Sequence, residues 1–120
     1  MSKVPKPIQV LRRRVLMAAV PEVLWPAFVD VDGVKIRLRN TPYSFGVKRL
    51  LAFSDDYEKP ERKLVSDFIK PGMRIIEMGG SIGVLTAVMA HLVGPSGRVV
   101  SVEADVRLTE YSRTWLPPES

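Results

Sequence analysis

Cysteine is absent from the 120 residues, which excludes disulfides, thiolate metal sites and cysteine nucleophiles. Histidine occurs once, as His91, and no second histidine or carboxylate cluster joins it or the adjacent pair Asp55 and Asp56 to complete a metal site. No stretch of 18 apolar residues exists, so no helix here is expected to span a bilayer. The apolar run Val15 to Val20 follows three arginines but is stopped by Pro21, too short for a secretory signal. The expectation is a cytoplasmic protein, although an acid-poor, arginine-containing leader also suits organellar import. What is present, 46% hydrophobic and 26% charged residues, fits one small domain. A chain of this size buries roughly 65% of its extended surface, which is thin for a sheet with helices on both faces. A small fold or an incomplete one is therefore expected.

The net charge of +5 is unevenly placed. Residues 1–20 hold five basic side chains (Lys3, Lys6, Arg12, Arg13, Arg14) and no acid, whereas residues 71–120 hold four basic against five acidic. A basic front could meet a polyanion such as nucleic acid; a solvated helix face accounts for the same charges.

Three units are expected. Residues 1–27 form a basic arm and an amphipathic helix: Pro5 and Pro7 loosen the start, and from Ile8 to Ala19 Leu11, Val15 and Ala18 recur at helical spacing. Residues 28–53 form a β-hairpin region. Val34, Ile36 and Leu38 alternate with Lys35, Arg37 and Arg39 after the turn pair Asp32-Gly33, and a second strand-like segment is expected over Phe45 to Phe53. Residues 54–120 form an α/β unit. Its first helix runs from about Pro60 to Lys70 with a stripe of Leu64, Val65, Phe68 and Ile69, and Pro71-Gly72 ends it.

The apolar run Met73 to Met78 then meets Gly79-Gly80-Ser81-Ile82-Gly83, a helical stretch from Val84 to Leu92 closed by Gly94 and Pro95, and a second strand from Arg98 to Val102 ending in Glu103. Residues 105–116 start a further helix. The order is βαβ, the first unit of an open α/β sheet with nearly continuous Val and Ile in its strands. Glycines at 79 and 83 let a strand turn sharply into a helix and leave room for a ligand, and free N–H groups at the helix start can serve acceptor atoms. A carboxylate at the next strand tip, Glu103, can accept both hydrogen bonds of a ribose diol. The spacing Glu77-x-Gly79-x-x-x-Gly83, with Ser81 at the middle glycine of the dinucleotide fingerprint, counts against pyrophosphate and a nicotinamide cofactor. No Gly-Lys-Ser or Gly-Lys-Thr follows, so a Walker loop is absent.

With Ile75-Ile-Glu-Met-Gly-Gly-Ser-Ile-Gly83, Val99-Val-Ser-Val-Glu103 and the approach from Tyr57-Glu58 through Glu61 to Lys70-Pro71-Gly72, the chain resembles the class I S-adenosylmethionine-dependent methyltransferases, and within them the FkbM type. The resemblance covers about residues 29 to 116. It implies a partial Rossmann-like fold and S-adenosylmethionine as cosubstrate, bound by Glu77, Gly79, Gly80, Ser81, Gly83 and Glu103. Glu77 would order the glycine loop or meet the methionine amino group, Gly79 to Gly83 would line the cosubstrate, and Glu103 would hold the ribose.

Family domains have seven strands, and this sequence holds the first two with the helix that follows. The acceptor, expected as a small molecule of unknown identity, and the catalytic base are not legible. His91 is expected to be partly buried or capping, and Met73, Met78 and Met89 to fill the core. Tyr57, Tyr111 and Trp115 are candidates for stacking on adenine. The expected function is a methyltransferase-like protein inactive on its own and self-associating through its incomplete sheet. The alternative is a noncatalytic oligomeric or polyanion-binding protein on the same fold.

Overall fold

The computed structural model describes residues 21–116. The basic arm and helix expected before Pro21 lie outside those residues. A short 3-10 turn, Glu22–Leu24, leads to the buried Trp25, whose ring meets Phe53 edge-on at 5.1 Å.

Strands β1 (Phe28–Val31) and β2 (Val34–Arg37) pair antiparallel, from Phe28 opposite Arg37 to Val31 opposite Val34. The expected Asp-Gly turn joins them. Asp32 and Gly33 both have positive φ, 51° and 84°, as a tight two-residue hairpin turn requires, and the Asp30 carboxylate accepts from the Gly33 N–H at 3.0 Å. Alternation then does its work: Val31, Ile36 and Leu38 are buried while Asp30 and Lys35 face water.

The strand-like segment expected over Phe45 to Phe53 is instead helix α1 (Phe45–Phe53). Ser44 caps it, its side chain accepting from the Val47 N–H, and Val47 and Leu51, four residues apart, pack into the core on one face. The density of apolar residues concealed a helical period.

Helix α2 (Lys59–Phe68) carries Pro60 and Glu61 in its first turn, as expected. Its buried face is not the expected stripe. Val65 and Ile69 pack inward, but Leu64 and Phe68 are exposed and Arg62 is buried, 4% accessible. The Arg62 guanidinium donates to the carboxylates of Asp32 and Asp55, each at 2.8 Å, and to the carbonyls of Asp55 and Tyr57. Satisfying so many acceptors turns that side of the helix toward the hairpin.

Strand β3 (Arg74–Met78), helix α3 (Val84–Val93) and strand β4 (Arg98–Val102) form the expected βαβ unit, two parallel strands joined by a helix, in register from Arg74 with Arg98 to Met78 with Val102. Helix α4 (Val106–Arg113) follows. Met89, Val93 and Val99 close one core under this sheet, against Val65, Ile69, Ile75 and Leu85. A second core joins the front of the chain to the glycine turn, with Val31, Ile36, Leu38, Tyr43 and Leu51 meeting Ile82, Val84, Ala87 and Tyr111.

Among the described residues, nothing covers the other face of the β3–β4 sheet. Ile76 and Met78 are 76% and 77% accessible, and Val100 and Val102 are exposed beside them. Of the three methionines expected in the core only Met89 is there; Met73 and Met78 are exposed, because strand alternation directs Met78 away from α3.

Candidate functional site

The C-terminal ends of β3 and β4 converge on one short turn. Gly79 and Gly83 have φ of 81° and 84°, a region closed to most side chains, and they are the two positions where the chain must bend from strand into helix. Gly80 is held small for another reason. A Cβ there would fall 1.9 Å from the Ser101 hydroxyl and 3.1 Å from a Glu77 carboxylate oxygen. At Gly79, by contrast, a Cβ would meet nothing within 4 Å, so the turn presents open space there.

Ser81 is left-handed as well, with φ of 49°. Its N–H donates to Glu103 Oε2 at 2.7 Å, and Oε1 of the same carboxylate accepts from the Asp105 N–H at 2.8 Å. These backbone donors, Asp105 first and Ser81 next, hold the Glu103 carboxyl below its usual range, so it is ionised at neutral pH. Each oxygen retains a lone pair after its one backbone bond, and two such acceptors, a fixed distance apart, suit a vicinal diol.

Glu77 points beneath the turn. The Thr86 hydroxyl, buried in the first turn of α3, donates to Glu77 Oε2, which fixes that carboxylate beside Gly80. Glu58, left-handed at φ of 48° before α2, lies half-buried; burial and then the charges of Glu61 and Glu77 push its carboxyl up. Burial, and then the charge of Glu58, pushes the phenol of its neighbour Tyr57 up to about 12.

The structure thus brings Glu77, Gly79, Gly80, Ser81, Gly83 and Glu103 to one place. The N–H groups of Gly79 and Gly80 donate to Val102 O, that of Ser81 to Glu103, and that of Gly83 to Gly80 O. These four groups of the turn are engaged within the protein, whereas the donors expected for a ligand belong to the start of α3, which has no side-chain cap among the described residues. The turn itself offers room and a carboxylate.

Residues invisible to motif reasoning support the site. Thr86, Ser101, Ser112 and Tyr43 contact it from three elements and one loop, and only the fold brings them near. The Ser112 hydroxyl lies 3.3 Å from Ser81 O, and the Tyr43 hydroxyl donates to Ile82 O at 3.2 Å. Of the stacking candidates, Tyr111 is buried edge-on against Tyr43 at 5.0 Å, and the Trp115 ring packs 3.2 Å from a Cβ position on Gly83. Both are occupied with the protein itself. Among the described residues, Trp115 Nε1 is the one buried side-chain polar atom without a hydrogen-bond partner. His91, expected to be partly buried or capping, is exposed in the last turn of α3. Asp55 pairs with Lys59 and Arg62, and no group of three metal-ligating side chains occurs among the described residues. No helix among them is long and apolar enough to cross a membrane.

Comparison with known proteins finds similarity to methyltransferases. Residues 61–118 match the family model of protein-L-isoaspartate(D-aspartate) O-methyltransferase. A protein-L-isoaspartate O-methyltransferase of Methanothrix thermoacetophila is 51% identical over 45 residues, 38% of this chain and 21% of that protein. One from Thermotoga maritima is 30% identical over 97 residues, 72% of this chain and 31% of its own length. A ubiquinone/menaquinone biosynthesis C-methyltransferase UbiE of a Shewanella species is 38% identical over 84 residues, 70% of this chain and 30% of that protein. The chain therefore spans less than a third of the length of these relatives. No solved structure matches it. The FkbM type expected from the motifs is not the type these matches carry. That expectation rests on the glycine turn and the strand-tip acid, which the resemblance assigns to the methyl donor and which therefore do not distinguish branches that differ in acceptor. Matches to methyltransferases of two kinds leave the noncatalytic polyanion-binding alternative unfavoured. Through its α/β part, this chain is similar to class I S-adenosylmethionine-dependent methyltransferases.

Proposed function

We propose that this chain is the donor-binding portion of a methyltransferase whose acceptor is the side-chain carboxylate of an L-isoaspartyl residue. The observation that carries the donor reading is the Glu103 carboxylate, fixed by two backbone N–H groups at the tip of β4 and facing a turn with open space at Gly79. Glu103 accepts the ribose hydroxyls, Gly79 lets the nucleoside approach the backbone, and Glu77, held by Thr86, provides negative charge beside the donor's ammonium group.

Bound S-adenosylmethionine supplies a methyl group on a sulfonium. In the transfer, an acceptor oxygen forms the new C–O bond as the C–S bond breaks, and the electron pair of that bond stays on sulfur. A carboxylate is already ionised at neutral pH and needs no base to become the nucleophile. The protein's contribution is then chiefly to hold donor and acceptor in line. The family model over residues 61–118 supports the isoaspartyl acceptor.

Calorimetry with S-adenosylhomocysteine tests the donor site. Wild-type protein is expected to bind, and Glu103→Ala to bind at least about tenfold more weakly, equivalent to about 1.4 kcal/mol. Equal binding by the two proteins would remove Glu103 from the ribose. Labelled methyl transfer to an L-isoaspartyl peptide, beside its L-aspartyl counterpart, tests the acceptor; because the chain covers so little of its relatives, turnover by it alone is expected to stay near background.

A further inference from the structure

We infer that Tyr43 is a positioning residue for the donor site: its hydroxyl sets one peptide plane of the glycine turn, so that the front of the chain determines the shape of a site built by the back. This rests on the donor-binding reading above. It goes beyond that reading because Tyr43 lies outside the residues matched by the family model, in the loop between β2 and α1.

Three consecutive peptide planes make up the bend, and two of them are held by side chains from different parts of the chain. The plane between Gly80 and Ser81 is held at its N–H by Glu103, at 2.7 Å. The carbonyl of the plane between Ser81 and Ile82 lies 3.3 Å from the Ser112 hydroxyl of α4, whose single proton has the shorter path to Leu108 O, at 2.8 Å. The plane between Ile82 and Gly83 is held at its carbonyl by Tyr43, at 3.2 Å, and at its N–H by Gly80 O, at 2.9 Å. Because a peptide is planar, fixing the Ile82 carbonyl also fixes the direction of the Gly83 N–H. Ser81 stays left-handed inside this bend, a conformation that a residue with a side chain keeps only where its surroundings determine it strongly.

Tyr43 is itself firmly placed. Its ring is buried and stands at 80° to the Tyr111 ring, and the Tyr111 hydroxyl donates in turn to Arg37 O at 3.2 Å. The aromatic pair therefore ties the end of β2, helix α4 and the glycine turn into one unit. Tyr111 makes the same kind of bond as Tyr43, a buried phenol to a backbone carbonyl, but its acceptor lies away from the turn. It is the matched control.

The experiment compares Tyr43→Phe with Tyr111→Phe. Hydrogen exchange at the Gly83 amide is read without ligand, and the dissociation constant of S-adenosylhomocysteine is read by calorimetry. Tyr43→Phe is expected to speed Gly83 exchange and to weaken binding, each about fivefold, the weight of one typical neutral hydrogen bond. Tyr111→Phe is expected to lower the melting temperature similarly while leaving both readouts near wild type. Tyr43→4-aminophenylalanine keeps the ring and a donor for Ile82 O and is expected to restore both values; it carries the test if Tyr43→Phe does not fold. Unchanged exchange in Tyr43→Phe, equal changes in Tyr111→Phe, or a lack of rescue would overturn the inference. Wild-type protein that does not bind S-adenosylhomocysteine overturns the donor reading and this inference with it, whereas equal binding by wild type and Tyr43→Phe overturns this inference alone.

Discussion

The hairpin β1–β2 and the parallel pair β3–β4 are both two-stranded sheets, yet among the described residues one has the cover it needs and the other does not. The hairpin needs cover on one face only. It buries Val31 and Ile36 and gives Asp30 and Lys35 to water, so a single core completes it. A parallel pair with Ile, Val and Met on both faces needs cover twice. Helix α3 covers one face through Met89 and Val93, while Ile76, Met78, Val100 and Val102 stand exposed on the other. Strand number does not decide whether a sheet is complete; the residue pattern on its second face does.

The most direct way to break this comparison is to make the same substitution in both sheets. Ile36 is fully buried, and Ile36→Ala is expected to cost about 2–5 kcal/mol in urea unfolding. Ile76→Ala, at a position exposed in the single chain, is expected to stay within about 0.5 kcal/mol of wild type when unfolding is followed at a dilution where the protein is monomeric. Similar losses at both sites at that dilution would mean that the outer face is covered within one chain.

Next in size is Gly80→Ala at the end of β3. The added methyl group meets the Ser101 side chain of β4, and forcing the strands to yield is expected to cost about 1–3 kcal/mol. Pairing it with Ser101→Gly is expected to recover part of that loss, a coupling that a double-mutant cycle measures. Simple additivity would show that the two strand ends do not pack as closely as described.

The exposed face also has a consequence for assembly. We propose that the chain self-associates there or along the edge of β3 that pairs with no strand among the described residues, and light scattering over a concentration range is expected to report about 27 kDa, twice the 13.4 kDa of one chain. Met78→Lys with Val102→Lys is expected to return the mass to one chain with little change in stability. A wild-type monomer at every concentration would overturn this proposal.

The smallest effect concerns acid. Asp105 caps α4, its side chain accepting from the Arg107 N–H, and the Arg107 guanidinium holds its carboxyl down to about 2, from an ordinary 3.8. A carboxyl depressed on folding contributes stability that is fully present above its unfolded value and is lost as pH falls through its folded value. The difference in melting temperature between wild type and Asp105→Asn is therefore expected to hold above about pH 4 and to vanish near pH 2. A difference that does not change over this window would remove the Arg107 pairing from the stability of α4.

The parts of the fold that were legible in the sequence were those set by neighbouring residues. Asp32-Gly33 marked its turn because two successive positive φ angles can be read from residue type, and the run from Arg74 to Glu103 showed its change of period from strand to helix to strand. Helix α1 was not legible, because Val47, Leu50, Leu51 and Phe53 fill both a strand and a helix pattern over so short a span. The exposed Leu64 and Phe68 were misread for a different reason: Arg62 takes the buried face through partners as distant in sequence as Asp32. In the site, the glycines and the strand-tip acid could be named from spacing. The engagement of the turn's N–H groups could not, since it depends on where Val102 O and Glu103 come to lie.

The packing of Trp115 on Gly83 gives the molecule an optical property. The chain has two tryptophans, Trp25 against Phe53 in the front and Trp115 on the glycine turn. Their indoles sit in separate surroundings, so replacing Trp25 by Phe leaves the emission of the protein in the hands of the turn alone. Among the described residues that indole N–H has no partner, so the emission is expected to shift to the red when the bend loosens and water reaches Nε1.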